Sequence, residues 1–360
     1  MRCTWLTLAL VGCTPIYDAQ YNDRADELDE FRKEFRPEAD ETKLISSGGS
    51  RIYWVDQVAP QNLLFLHSMV PGDPASEVKY EWSSGKNDLD EYHFGEQLVA
   101  ECSFGTSIAY EVDIPATTGE IARTSRGADG CAIDGRTVYF LVGAKALRKW
   151  QPPADIPDLD GDNNGDTFID FEVDSGIVGS IAGFSVIGNL ALVAEQDGDL
   201  YTVDLVTKQS KWLRNDQPFV GSVFFDERGA LYETQSGPRY IEFTDAEDPP
   251  DTSFDDMVRD GGYHLNFKHG DIQQPSRNGE FVIHKRHIIY RGERGIFAYG
   301  LDTHNVIDLL LDRGEGIDLE IAYHQPAVTT GDQLFVFGTD SIGINLSGAV
   351  YQVDLTERLR

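Results

Sequence analysis

Basic side chains are scarce in this sequence. Thirty Lys and Arg stand against 61 Asp and Glu, for a formal net charge of −31. A surface so negative repels phosphate backbones and anionic headgroups, which excludes general nucleic-acid binding and adhesion to membranes through a basic patch. Past the first residues there is no run of about 18 apolar side chains able to cross a bilayer. The Gly-x-Ser-x-Gly elbow, the His-Glu-x-x-His helix and the phosphate-cradling glycine loop are all missing, and with them the reactions they signal. Helical periodicity is rare, and there are only four cysteines. What is present excludes disorder: 41% hydrophobic and 11% aromatic residues over 360 positions can bury a large core.

The first residues give an address. Met1-Arg2 and the apolar run Trp5 to Val11 read as a secretory signal. Leu10-Val11-Gly12-Cys13 resembles the lipobox of bacterial lipoproteins. That resemblance implies a signal peptide over residues 1–12 and a lipidated Cys13 as mature N-terminus, with acyl chains as the membrane attachment. Thr14, in place of the aspartate of inner-membrane retention, points to the outer membrane, on its periplasmic or its surface face. Export removes Cys3 and acylation uses Cys13. Cys102 and Cys131 are then the remaining thiols in an oxidising compartment, and a disulfide between them is expected, two separately buried thiols being the alternative.

Residues 13–43 are polar and charged. Within them Arg24 to Arg36 carries Leu28, Phe31 and Phe35 at helical spacing, which predicts a short amphipathic helix or a spacer within a tether, ended by Pro37. From Leu44 to Arg360 the text changes to short β-rich runs separated by Gly, Asp, Asn and Pro, the mark of a sandwich, barrel or propeller. Self-similarity decides among these. Gly198-Asp-Leu-Tyr-Thr-Val-Asp-Leu205 and Gly348-Ala-Val-Tyr-Gln-Val-Asp-Leu355 share five of eight positions, with Gly295-Ile-Phe-Ala-Tyr-Gly-Leu-Asp302 a looser copy. Each follows an earlier strand by a short turn, and the spacing of the three fits units of roughly 45–50 residues.

Asp204, Thr207 and Trp212 match the Asp, Thr-Gly, Trp spacing of the repeat in quinoprotein-type β-propellers, with Lys208 where the family has glycine. Tyr110 to Asp113 with Thr118-Gly119 resembles a second copy. The resemblance implies an all-β propeller of about seven four-stranded blades with PQQ-like repeats, and a tryptophan packed between blades. An early strand near Ile45–Val55 is expected to complete the last blade and remove its open edge. There is no adjacent cysteine pair like that of quinoprotein alcohol dehydrogenases, so no pyrroloquinoline quinone is expected. In overall plan the chain is similar to the propeller lipoprotein of the outer-membrane β-barrel assembly machinery.

Few residues carry chemistry. Asp155 to Asp174 packs eight acids without Lys or Arg. Asp158, Asp160, Asp162 and Asn164, with Asp166, Asp170 and Glu172, offer the hard oxygen ligands preferred by Ca²⁺. The opening matches an EF-hand loop but position twelve falls on Phe171, so the segment resembles the calcium loops of secreted bacterial proteins. A structural Ca²⁺ is the expectation and a solvated acidic turn the alternative. His284, Lys285, Arg286 and His287 form a cationic strip able to meet an anion or an acidic partner, or to be the outer face of a strand. His264, His269 and His324 show no metal spacing. The expected function is therefore a lipid-anchored, non-catalytic binding or scaffold propeller with an envelope protein as partner. The alternative is a calcium-dependent, lactonase-like hydrolase.

Overall fold

A computed structural model describes residues 23–28, 32–36, 42–58, 63–82, 92–95, 98–103, 106–112, 118–124, 128–151, 168–215, 219–234, 236–244, 249–261, 281–292, 295–311, 317–320, 328, 331–340 and 347–360. Their strands form seven four-stranded antiparallel sheets, the blade unit of a β-propeller. In chain order, β1 is Arg32–Arg36, and β2 to β5 are Thr42–Gly48, Arg51–Val58, Leu63–Val70 and Asp73–Trp82. β6 to β9 are Tyr92–Gly95, Leu98–Ser103, Thr106–Val112 and Thr118–Thr124. β10 to β13 are Ala128–Asp134, Thr137–Val142, Ala146–Trp150 and Ile169–Asp170. β14 to β17 are Ile181–Ile187, Leu190–Glu195, Asp199–Asp204 and Gln209–Asn215. β18 to β21 are Phe219–Phe225, Gly229–Thr234, Gly237–Glu242 and Asp251–Ser253. β22 to β25 are Phe281–His284, His287–Gly292, Gly295–Gly300 and Val306–Leu311, and β26 to β28 are Ile317–Glu320, Gln333–Asp340 and Ser347–Asp354.

The chain divides into two compact units. The larger, residues 41–254 with 322–331, holds the five sheets from β2 to β21. Each meanders so that consecutive strands pair, and the sheets from β6 to β21 bury apolar side chains against their neighbours. Tyr139, Leu141 and Leu147 of one sheet join Ala191, Val193 and Val203 of the next. Leu192, Leu200 and Leu213 meet Phe225, Tyr232 and Ile241 across the following seam. Strands covered on both faces lose the apolar–polar alternation, which is why β11 and β15 read as near-continuous hydrophobic runs.

The smaller unit, residues 1–40, 255–321 and 332–360, holds two sheets. One is β22–β25. The other has the order β1-β28-β27-β26, so a strand from the start of the chain completes a sheet made from its end. The completing strand is not the one expected near Ile45–Val55, for β2 and β3 belong to a sheet of their own. It is Arg32–Arg36, pairing Arg32 with Val353 and Glu34 with Tyr351. The segment expected as a short helix or a spacer is thus split between α1 (residues 23–28) and β1. A local helical period yields here to the backbone partners that the open edge of β28 supplies. Ala25 and Leu28 of α1 are buried, and Arg24 reaches Asp308 of β25 at 3.3 Å. Arg358 of the terminal helix α3 (Leu355–Arg358; the helix Phe254–Asp260 is α2) donates to the Asp308 carbonyl, so both ends of the chain fasten to β25.

The three repeat copies fall on equivalent strands. β16, β24 and β28 are each the third strand of their sheet, paired back to β15, β23 and β27. Gly295, which opens β24 at φ +154°, faces the Leu310 carbonyl, where a Cβ would lie 2.3 Å from the oxygen. At the end of β16, Asp204 Oδ1 accepts from Val206 N and Thr207 N, both at 2.8 Å, and these bonds hold its carboxyl below the usual range. Lys208 takes φ +61°. Lys208→Val is expected to cost about 1–2 kcal/mol, because a branched Cβ is least tolerated there, while Lys208→Gly is expected to be neutral or stabilising; urea midpoints check both. Trp212 is not packed between blades. It is 40% exposed on β17.

Cys131 on β10 is buried and disulfide-bonded. The side chain of Cys102, on β7, lies outside the described residues.

Candidate functional site

The acidic ligand set expected from the sequence is only partly visible. Asp158, Asp160, Asp162, Asn164 and Asp166 lie outside the described residues, as do His264, His269 and His324. Asp170 and Glu172 are described at a π-helical turn, Phe171–Ser175, that connects β13 to β14. A π-turn needs its ends fixed, and these acids help to fix them. Asp170 Oδ1 accepts from Val173 N at 3.0 Å, Glu172 pairs with Lys145 at 2.9 Å, and Asp174 takes Asp170 N and Lys208 Nζ, each at 3.1 Å. The Asp170 backbone and the Lys208 ammonium together hold the Asp174 carboxyl low. Gly176 ends the turn in the left-handed region at φ +76°.

A second carboxylate group escaped the sequence reading. Glu195, Asp197 and Asp199 occupy the tight connection between β15 and β16, with one oxygen of each inside a 4.8 Å cluster. The alternating acids in Glu195-Gln-Asp197-Gly-Asp199 were the available signal. Glu195 is 3% exposed, and its Oε1 accepts from Gly179 N at 2.7 Å. That approach requires glycine, since a Cβ at residue 179 would lie 2.6 Å from the Glu195 carboxyl carbon. Burial raises the Glu195 pKa, the charges of Asp197 and Asp199 add to the effect, and the Gly179 bond opposes it. The same field, after burial, lifts Tyr201 to about 12. Asp199 is oriented by Trp212, whose Nε1 donates to Oδ1 at 2.9 Å. Such oxygens suit a hard cation chemically, and they equally act as hydrogen-bond anchors for the hairpin.

The sign of the Glu195 effect is testable. A carboxyl whose folded pKa is raised penalises the folded state above that pKa, and the penalty fades as pH falls and the proton binds. Glu195→Gln, which keeps an oxygen for Gly179, is expected to stabilise by about 1 kcal/mol at pH 7. Thermal melts should show the gain shrinking towards pH 4–5, near the ordinary glutamate value of about 4.3.

The cationic strip lies in the smaller unit and is a hairpin turn, not a continuous strand face. His284 ends β22, His287 begins β23, and Lys285 and Arg286 take φ values of 45° and 62° between them. The turn spends its charge within the fold. His284 Nε2 lies 2.9 Å from Asp332 Oδ1, Lys285 donates to the other Asp332 oxygen, and Arg286 reaches Asp302 at 3.2 Å. His287 Nδ1 meets the Lys285 carbonyl at 2.9 Å. Lys285 holds Asp332 low, while burial lowers His284.

In the larger unit Asp251 is the hub of a seam. Its side chain is 3% exposed and takes Arg214 at 2.6 Å, Arg239 through its Nε, and the Tyr232 hydroxyl at 3.0 Å. Burial favours the protonated acid, but these partners win and hold it below the usual range.

No family model matches the chain, and no curated protein does. Among solved structures, the computationally designed Ika8 protein aligns over 89% of this chain and 98% of its own at 9% identity and a TM-score of 0.48. The WD40 domain of coronin from Toxoplasma gondii aligns over 90% and 86% at 10% identity and 0.48. The designed Ika4 protein covers 45% of this chain and 95% of its own, at 13% identity and 0.33.

Proposed function

We propose that this chain is a β-propeller of about seven blades with PQQ-like repeats, held in the outer membrane by lipid on Cys13, and that it acts as a non-catalytic binding or scaffold protein of the cell envelope. The observation that carries the reading is how the described charged side chains are used. Asp174, Glu172, Asp251 and Asp332 each pair with a lysine or arginine of their own unit, Asp251 and Asp332 with their carboxyls largely covered and Glu172 at the surface. They brace turns and seams, as a rigid frame requires. Beside the braced π-turn and the β16–β17 turn, Val173, Val178 and Val206 are 80%, 70% and 69% exposed, apolar contacts offered by a fixed frame.

Leu10 to Cys13 supports the anchor, and no described helix is long and apolar enough to cross a membrane. The bonded state of Cys131 supports its pairing with Cys102. The six acids and one amide from Asp158 to Glu172 support a structural Ca²⁺, for which Glu172 would exchange its solvent-exposed lysine partner. Addition of Ca²⁺ to the full chain is then expected to raise Tm, and no change would remove the metal from the proposal. The scaffold reading itself is tested by purifying the full chain from detergent-solubilised membranes. A stoichiometric envelope protein is expected with the wild type and lost with Val206→Asp. Recovery of the chain alone in both cases would contradict it.

A further inference from the structure

We propose that a strip of exposed apolar side chains along the edge strand β17, ending at the carboxylates of Glu195, Asp197 and Asp199, docks an extended segment of a partner protein that carries lysine or arginine between aliphatic residues. The inference rests on the scaffold reading and gives its partner a chemistry. β17 is the last strand of the sheet β14–β17. Residues 171–179 are fastened along it and along the β15–β16 turn by bonds that follow in order. Lys208 Nζ donates to Asp174 at 3.1 Å, Ser210 Oγ donates to the Ser175 carbonyl at 2.6 Å, and Gly179 N donates to Glu195 at 2.7 Å. Trp212 Nε1 donates to Asp199 at 2.9 Å. Exposed apolar side chains sit beside these bonds: Val173 and Val206 within two residues of the first, Val178 next to the third, and the Trp212 ring at the last. Alternation along β17 puts Ser210 and Trp212 on one face, while Leu213 turns to the other and is buried with Phe225 and Tyr232. From Lys208 to Trp212 the strip runs about 13 Å in the direction of the strand.

The carboxylates at the end of the strip set the charge of its occupant. One oxygen from each lies within the 4.8 Å cluster, and among the described residues no lysine, arginine or histidine pairs with any of the three. Asp174, by contrast, has Lys208, and Asp251 has two arginines. Glu195 is buried, and Gly179 N serves one of its oxygens; the other accepts no hydrogen bond among the described residues. Three carboxylates so close repel one another, and a cation arriving from outside relieves that repulsion. The Trp212 ring, held at Asp199, offers the same cation its π face. A bare metal ion would use the carboxylates alone. The apolar strip that leads to them fits a basic side chain carried by a segment with aliphatic neighbours. A second copy of this chain is the wrong occupant, since a net charge of −31 repels its like.

Calorimetric titration of the full chain with the capped pentapeptide VKVRV, against VEVEV and SKSRS, tests the proposal. VKVRV is expected to bind saturably and to weaken as salt rises from low to physiological, SKSRS to bind about tenfold more weakly, and VEVEV not to bind. The double variant Asp197→Asn with Asp199→Asn removes the charge and the repulsion together. It is expected to match or exceed the wild-type Tm while binding VKVRV about tenfold more weakly. Val178→Ser is expected to weaken VKVRV and to leave its salt dependence unchanged. Three results would overturn the proposal: no binding of VKVRV by the wild type, equal binding of VEVEV or SKSRS, or undiminished binding by the double variant. Should the double variant not fold, Val178→Ser and the peptide series on the wild type decide. If the wild type retains a stoichiometric envelope protein while VKVRV fails, the scaffold reading stands and this inference alone falls.

Discussion

Asp251→Asn should destabilise the protein by about 3–5 kcal/mol, the cost of leaving two arginines at a seam without their shared counter-charge. Asp251 takes Arg214 and Arg239 together, with Tyr232 as a third partner, and its side chain is almost wholly buried. An amide fills the same volume but cannot balance either guanidinium. The effect has a pH signature. The folded-state pKa is depressed, so the stability Asp251 supplies is fully present above the unfolded aspartate value of about 3.9 and is lost as pH falls through the lower folded value. Wild type and variant should therefore differ most near neutrality and converge in acid below about pH 4. Urea unfolding at pH 7 and pH 3 measures both. A variant within 1 kcal/mol of wild type at pH 7 would show that the seam is held otherwise.

A chain beginning at Thr42 is expected to lose the folded state of the sheet β26–β28. It removes β1, which pairs along β28 from Val350 to Val353, and α1, whose buried Leu28 alone is worth about 2–3 kcal/mol. It also leaves Asp308 without Arg24. Amide exchange should show the β28 amides that face β1 protected in the full chain and open in the shortened one. Leu28→Asp offers a milder form of the same test and should lower Tm without shortening the chain. Unchanged protection of β28 in both variants would mean that the N-terminal segment is a spacer.

The particular residues explain what could be read in advance. Gly198, Gly295 and Gly348 mark third strands because each of these sheets repeats one local problem, the antiparallel pairing of a third strand back onto the second. That problem is solved within about eight residues, so its solution shows in the text. β1 does not, because Leu28, Phe31 and Phe35 carry a helical period and the strand exists only where β28, more than 300 positions later, offers an edge. Glu195 is an anchor only because the Gly179 backbone comes within hydrogen-bond reach. Arg148 and Lys149 read alike in Ala-Leu-Arg-Lys-Trp, and only the fold separates the buried one from the exposed one. The turn at Lys208 shows a further case, where the Asp204 and Thr207 turn holds a residue other than glycine in the left-handed region.

Together these features describe a frame in which several charged side chains hold turns and seams and in which Val173, Val178 and Val206 are exposed. Photo-crosslinking from Val173, Val178 and Val206 in cells that make the full chain tests the scaffold reading most directly. The account predicts a discrete adduct with one envelope protein from adjacent positions, lost in Cys13→Ser, which removes the proposed lipid site. The absence of an adduct from all three positions in the wild type would contradict it.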